Sequence, residues 1–134
     1  MKMLAASLGV VVSLAGCSTS PISSTSADKV PPSRVFAYQS PAESTLVVTR
    51  DTGFLAAGCN YELYIDGKLS AEFAVGETQA FGLPAGPHVL GVAAARHCAG
   101  AGILEYEVEL KPGQTLKRRI FVNSAGFHLM PTGF

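Results

Sequence analysis

The stretch NYELYIDGKLSAEF, residues 60–73, decides the fold class of this chain. Asn60 to Ile65 and Leu69 to Phe73 alternate apolar and polar residues on either side of Asp66-Gly67. An Asp-Gly pair between two such runs is a strong signal for a β-hairpin, because both residues tolerate the positive φ that a tight turn requires. The stretch therefore predicts two antiparallel strands with one buried face.

The length of the turn sets the register of this hairpin. A two-residue loop would place Leu63 opposite Ser70 and would mix the two faces. A three-residue loop, with Gly67 left-handed at its end, instead places Leu63 opposite Leu69 and Tyr61 opposite Ala71. We expect the three-residue loop, because a slip of one residue turns every side chain to the other face of the sheet.

The chain after residue 44 continues in the same way. Ile103 to Leu110 shows the clearest alternation, with three glutamates on one face. Lys111-Pro112-Gly113-Gln114 predicts a turn that returns Thr115 to Val122 beside this strand, so that the glutamates face Lys117 and Arg119. The remaining predicted strands cover residues 45–50, 80–83, 88–95 and 126–130. Together they predict an all-β domain over residues 44–134, a small antiparallel β-sandwich of about seven to eight strands with one disulfide.

The composition limits the classes of function that need consideration. Ten Lys and Arg residues balance ten Asp and Glu residues, so the formal net charge of the 134-residue chain is zero. A chain without a basic excess lacks the electrostatic footprint of a nucleic-acid-binding protein. The length allows one domain, and 14 Gly with 8 Pro predict many turns.

The amino terminus carries a targeting pattern in residues 1–16. Lys2 precedes a short apolar run, which has the length of a signal-peptide core and is too short to span a bilayer. Leu14-Ala15-Gly16-Cys17 follows and resembles the bacterial lipobox at all four positions. The resemblance implies cleavage before Cys17 and attachment of a diacylglycerol, with palmitate-type chains, to its thiol. The alternative is an ordinary secretory peptide cut elsewhere, which leaves Cys17 as a free thiol.

The residues after Cys17 complete the predicted address. By resemblance to the sorting pattern of such lipoproteins, Ser18 favours the outer membrane, facing the periplasm, although the inner membrane stays open as an alternative. Residues 17–43 are rich in Ser, Thr and Pro and predict a disordered tether, with Val35 to Tyr38 as the one part apolar enough to dock. A flexible chain of about twenty residues would hold the domain about 25 Å from its anchor.

With Cys17 acylated, Cys59 and Cys98 remain as an even pair in an oxidising compartment, which predicts a disulfide. Closing the loop between them would stabilise the domain by about 4 kcal/mol in the chain-entropy model. The alternative is a metal or redox site, because His97 adjoins Cys98. Two cysteines and one histidine fall short of the four ligands of a structural zinc site, so the disulfide is the preferred interpretation.

Three segments carry a resemblance to a known family: residues 49–69 (TRDTGFLAAGCNYELYIDGKL), 83–92 (LPAGPHVLGV) and 110–120 (LKPGQTLKRRI). They resemble the small bacterial lipoproteins of the YafY/YfjS type, which are similar in turn to PEGA-like β-sandwich modules. The resemblance covers most of the mature domain and rests mainly on turns. It implies a β-sandwich in the cell envelope, and this family has no established catalytic activity.

Two patterns offer other functions. Asp51-Thr52-Gly53 matches the tripeptide of aspartic proteases, which would make the protein a dimeric hydrolase with two aspartates sharing a proton. Arg50 stands where that family has an apolar residue and would keep the carboxylate ionised, so a turn is preferred. A metal-binding module would require His97 to converge with His88 and His128, which lie on three separate segments.

The run Lys117-Arg118-Arg119 is the one basic cluster, and two interpretations of it stay open. It could contact anionic lipid headgroups or an envelope partner near the anchor. Otherwise it forms a solvated strand face paired with the glutamates of the preceding strand. The sequence as a whole predicts a non-enzymatic envelope lipoprotein without cofactors, bound to the membrane by its lipid and holding an envelope protein or a cell-wall component. Its oligomeric state is left open.

Overall fold

The chain folds into two β-sheets with a shared apolar interior, as the computed structural model shows for residue 10 and residues 17–98, 100 and 102–134. The predicted signal peptide falls almost wholly outside these described residues. Among the described residues there are nine strands, β1 (Asp28–Lys29), β2 (Ser44–Arg50), β3 (Tyr61–Ile65), β4 (Lys68–Phe73), β5 (Glu77–Leu83), β6 (Gly86–Ala94), β7 (Ile103–Leu110), β8 (Thr115–Asn123) and β9 (Gly126–Pro131), and one 3-10 turn at Pro32–Arg34.

The predicted fold class is confirmed. One sheet has the order β1-β5-β2-β8-β9 and the other the order β4-β3-β6-β7. All pairings are antiparallel except β1 with β5 and β2 with β8. The core consists of alternate residues from both sheets, such as Leu46, Leu63, Phe73 and Phe81, each fully buried. Within the described residues there is no helix with the length and apolar character that a membrane span needs.

The hairpin at Asp66-Gly67 exists, but its predicted register is wrong. Ile65 lies opposite Lys68, so the turn has two residues, and both have positive φ (51° and 78°) as a type I′ turn requires. A bulge opposite the Leu63–Tyr64 step then shifts the pairing, which places Leu63 opposite Ala71 and Tyr61 opposite Phe73. The bulge inserts one extra residue into β4 and returns the apolar side chains to one face, which a longer loop would also have done.

The prediction that β7 and β8 form a hairpin is also wrong. β7 pairs with β6 in the four-stranded sheet, whereas β8 lies between β2 and β9 in the other sheet. The turn at Lys111-Pro112-Gly113-Gln114 carries the chain across the sandwich, where the N–H of Gly113 bonds the carbonyl of Glu43 at 2.9 Å. The glutamates of β7 alternate outward as predicted, but they do not face Lys117 and Arg119.

The segment predicted to be a disordered tether packs against the sandwich instead. Val30, Val35 and Ala37 are buried, and Val35 pairs with Ala71 at the edge of β4. Further along, the backbone crosses Gly82 so closely that a Cβ there would lie 2.0 Å from the Ser40 carbonyl oxygen. The sequence of residues 17–43 has no periodic apolar pattern, so a prediction from periodicity does not find it. The segment is ordered because its backbone bonds to the edges of strands in the sandwich.

Candidate functional site

Cys17 is the exposed thiol at the start of the continuous described chain, and the residues after it belong to the fold. Ser18 forms an antiparallel bridge with Asn123 at the end of β8. The N–H of Thr19 donates to the carbonyl of Val122 at 2.9 Å. Ser20 and Thr52 exchange two backbone hydrogen bonds, each 2.9 Å long. The chain therefore joins the five-stranded sheet one residue after Cys17.

A buried ion pair lies beneath this junction. Oδ2 of Asp51 accepts hydrogen bonds from the Thr19 hydroxyl at 2.9 Å and from Nη1 of Arg119 at 2.6 Å. Among the described residues, Oδ1 of the same carboxylate has no hydrogen-bond partner. Burial raises the pKa of Asp51, and the hydrogen bond from Thr19 and the charge of Arg119 oppose that rise. The carboxylate thus ties the amino-terminal segment to β2 and β8.

This environment bears on the aspartic-protease hypothesis for Asp51. A catalytic carboxylate must reach its substrate, whereas the Asp51 side chain is 1% exposed and lies under Thr19. The arginine that holds it is Arg119, on a neighbouring strand. The sequence-adjacent Arg50 points to the opposite face of β2, so the predicted effect of that arginine on Asp51 is wrong.

Arg50 lies inside the sandwich and holds the loop that follows β2. Its guanidinium donates to the carbonyls of Cys59 at 2.5 Å, Phe73 at 2.9 Å and Ala56 at 2.9 Å. It also stacks on the ring of Tyr61, 4.6 Å from the centroid. Burial lowers the pKa of Arg50. The guanidinium still keeps its charge, because the ordinary pKa of arginine is far above neutral pH. Sequence patterns did not reveal this role, since an arginine at the end of a strand is usually solvated.

The predicted disulfide between Cys59 and Cys98 is confirmed, with their Cα atoms 5.9 Å apart. It joins the loop between β2 and β3 to the turn between β6 and β7, at the end of the sandwich where Arg50 lies. His97, beside it, is exposed. The two cysteines are bonded to each other, so neither thiol is free to bind a metal ion. The redox alternative for this pair stays a prediction.

An apolar pocket of about 480 Å³ opens at this end of the sandwich. Leu55, Tyr61, Leu104 and Phe127 line it. A second depression of about 370 Å³ lies beside it and is lined by Cys17, Ser18, Phe54 and Leu55. Leu55 lines both, so the two depressions adjoin. Phe54 stands at the rim with 99% of its surface exposed.

The basic run does not present a single surface. Arg119 is bound to Asp51 and lies over the ring of Phe121, 4.9 Å from the centroid. Arg118 pairs with Val48 in β2 and shares its inward face, and burial lowers the pKa of this arginine. Lys117 points outward from the same strand. A contact of Lys117, Arg118 and Arg119 with headgroups or a partner stays a prediction, but it would not involve all three side chains together.

His88 and Asp66 form a pair that the sequence did not predict. Nδ1 of the imidazole lies 2.7 Å from Oδ2 of Asp66, and Nε2 lies 2.8 Å from the carbonyl of Pro84. Burial alone would lower the pKa of His88, but the hydrogen bonds and the charge of Asp66 together raise it. The pair closes the Asp66-Gly67 turn at the end of the sandwich away from the disulfide.

The three histidines do not converge on a metal site. His128 lies on β9 with its ring 6.1 Å from that of Phe121, whereas His88 is bound to Asp66 and His97 lies in the turn beside the disulfide. Within the part of the chain that the structure describes, no group of three or more His, Cys, Asp and Glu side chains is placed to hold a metal ion.

The segments that carry the family resemblance lie at the turns between strands. Residues 49–69 include the loop held by Arg50 and the first hairpin, 83–92 the turn before His88, and 110–120 the crossing between the sheets. Comparison of the chain with protein-family models, with curated proteins and with solved structures found no match. The resemblance to small bacterial lipoproteins stays a prediction.

Proposed function

We propose that the protein is a bacterial lipoprotein, acylated at Cys17, whose β-sandwich has a binding or structural role in the cell envelope. The observation that carries the proposal is the position of Cys17. It follows Leu14-Ala15-Gly16 in a lipobox pattern, and it is exposed next to a residue that already belongs to the sheet. Cleavage before Cys17 would keep every contact described for residues 18–134.

The cysteine chemistry supports the same proposal. Cys59 and Cys98 form a disulfide, which is typical of proteins in oxidising compartments such as the periplasm. Cys17 is then the one thiol left to carry a lipid. Two or more acyl chains at about 0.8 kcal/mol per methylene are sufficient for stable anchoring without a membrane-spanning helix.

A non-enzymatic role agrees with the state of the best catalytic candidate, since Asp51 is buried and bound by Arg119 and Thr19. A partner protein could add a strand at the edge of β7, which has no neighbouring strand on that side among the described residues. The other edge of the same sheet is covered in part by Val35, which pairs with β4. A cell-wall component is the alternative partner.

The test is the mass and location of protein extracted from bacterial membranes. We expect the mature chain to begin at Cys17 with the added mass of a diacylglycerol and an amide-linked acyl chain. Cys17→Ala should give an unprocessed chain without lipid, whereas a Cys59→Ser/Cys98→Ser variant should still be acylated. A Cys17→Ala protein of wild-type mass that remains with the membranes would overturn the proposal.

The choice of membrane has its own test. Ser18 is exposed, so Ser18→Asp should fold as the wild type does. If Ser18 directs the protein to the outer membrane, density-gradient separation should find the wild type there and Ser18→Asp in the inner membrane. Equal distribution of both proteins would assign the sorting signal to other residues.

A further inference from the structure

The distance between the proposed lipid anchor and the folded domain is one residue. Adjacent Cα atoms lie about 3.8 Å apart, and Ser18 is already bridged to Asn123. The headgroup layer on each side of a bilayer is about 5–8 Å thick. A diacylglycerol on the Cys17 thiol has its glycerol in that layer, so the residues around Ser18 must lie against the membrane surface. The domain has no free length of chain that would let it move away.

Phe54 lies beside this attachment point, and its loop keeps the side chain exposed to solvent. The loop that carries it is pinned by Arg50, which bonds the carbonyls of Ala56 and Cys59, and by the paired backbones of Ser20 and Thr52. The exposed fraction of Phe54 is 99%, although burial of such a side chain stabilises a folded protein. Because the loop keeps the Phe54 ring away from the protein interior, the ring is available to contact another molecule.

We infer that Cys17, Phe54 and Leu55 form one membrane-contacting surface, the anchor face, with the Phe54 ring inserted at the boundary between headgroups and acyl chains of a phospholipid bilayer. This inference rests on the proposed acylation of Cys17. Aromatic side chains are favoured at that depth, because their apolar ring leaves water without entering the centre of the bilayer. The depression lined by Cys17, Ser18, Phe54 and Leu55 gives the anchor face an apolar surface continuous with the lipid.

Two other exposed apolar residues, Phe36 and Val89, lack this relation to the anchor. Phe36 is 46% exposed and its N–H bonds the carbonyl of Ser70, at an edge of the four-stranded sheet. Val89 is 40% exposed and its carbonyl accepts the N–H of Asp66, at the turn away from the disulfide. A bilayer that contacts Phe54 is therefore expected to leave Phe36 and Val89 in water, which makes both of them matched controls.

The chain contains no tryptophan, so a single substitution supplies a unique fluorescent probe. We would purify full-length acylated Phe54→Trp, Phe36→Trp and Val89→Trp and reconstitute them into phosphatidylethanolamine–phosphatidylglycerol vesicles containing a lipid spin-labelled near the glycerol end of its acyl chain. Because Phe54 is exposed, its replacement should leave the unfolding curve unchanged. We expect a blue-shifted emission for Phe54→Trp and quenching several-fold stronger than for the two control variants.

Flotation of the vesicles and the mass of the protein separate the two proposals. If Phe54→Trp is acylated and floats, but its fluorescence is quenched no more than that of the controls, the anchor face is overturned and the lipoprotein proposal stays intact. Equal strong quenching at all three positions would also overturn the anchor face, because it would mean that the domain has no preferred face. Unacylated protein that does not float would overturn the proposed function and the inference together.

Discussion

Thr19 and Asp51 are 32 residues apart in the sequence and are joined by a buried hydrogen bond of 2.9 Å. The Thr19 hydroxyl donates to the carboxylate, and its oxygen also accepts the N–H of Val122 at 3.0 Å. One side chain therefore connects the chain next to Cys17 with the end of β2 and with β8. The amino-terminal junction is held by side-chain contacts as well as by backbone pairing.

Replacing this hydroxyl should weaken the junction. Thr19→Val keeps the shape of the side chain and leaves Asp51 without one donor, which should lower the free energy of unfolding by about 1–3 kcal/mol. Urea unfolding measures the loss, and hydrogen exchange at Thr19 and Ser20 should become faster. Thr115→Val, at an exposed threonine, is the control. Equal stability of Thr19→Val and the control would contradict the role of the hydroxyl.

Arg50 should be the most sensitive charged residue of the interior. Arg50→Met keeps much of the volume but leaves the carbonyls of Ala56, Cys59 and Phe73 without this donor. We expect a loss of about 3–5 kcal/mol in the free energy of unfolding. Arg118→Met, at an arginine on the same inward face, should lose much less, because the one hydrogen bond of Arg118 to the described part of the chain is to the neighbouring Lys117 carbonyl. Similar losses for the two variants would show that burial, rather than the three carbonyls, sets the effect.

The disulfide should contribute a large share of the stability of so small a domain. Cys59→Ser/Cys98→Ser should lower the free energy of unfolding by about 4 kcal/mol, and a reductant should do the same to the wild type. Cys17→Ser is the control, and its unfolding should remain sensitive to the reductant. Two free thiols in protein extracted from the envelope, found by non-reducing mass mapping, would contradict the bridge.

The His88–Asp66 pair predicts a defined dependence of stability on pH. The folded pKa of His88 is raised, so its contribution is complete below the ordinary value of 6.5 and is lost as the pH rises through the folded value. The folded pKa of Asp66 is lowered, so its contribution is present above 3.8 and is lost as the pH falls through the folded value. The pair should therefore stabilise most between about pH 4 and 6.5.

The size of this effect is modest, because the Asp66 side chain is 41% exposed and solvent screens the pair. We expect His88→Gln to lower the free energy of unfolding by about 1 kcal/mol at pH 5.5 and by less at pH 8.5. Urea unfolding at both pH values tests this, with His128→Gln as the control for the substitution. A loss that is larger at pH 8.5 would reverse the predicted sign.

Most strands and turns, and the pairing of β3 with β4, could be predicted from the sequence, whereas the partners of β7 and β8 could not. Alternation of apolar residues locates Ile103–Leu110 correctly, since the period depends only on which face is buried. The partner of that strand depends on where the turn at Pro112-Gly113 directs the chain. This turn bonds the carbonyl of Glu43 and does not close a hairpin. The same local information missed the bulge between Leu63 and Tyr64, because either a bulge or a longer loop restores the apolar face.

The residues of the candidate site also differ in how far their roles could be predicted from the sequence. The Cys59–Cys98 disulfide could be predicted because few chemical roles are open to an even pair of cysteines, whereas the lipid on Cys17 stays a prediction. The roles of Arg50 and Arg119 could not be predicted, since their partners are backbone carbonyls and a buried carboxylate that only the folded chain brings near. The order of the segment before β2 also escaped prediction, because it arises from backbone bonds to strands formed much later in the sequence.

β2 lies at the centre of the five-stranded sheet although it is the first long strand of the chain. Thr45 pairs in parallel with Thr115, near the other end of the sequence. Such long-range pairing slows folding, because the intervening chain must be closed into a loop before the contact forms. Leu46 and Val48, fully buried in the finished sheet, therefore stay on an open strand edge in the newly made chain. The protein is most exposed to aggregation in the interval before its carboxyl-terminal strands become available.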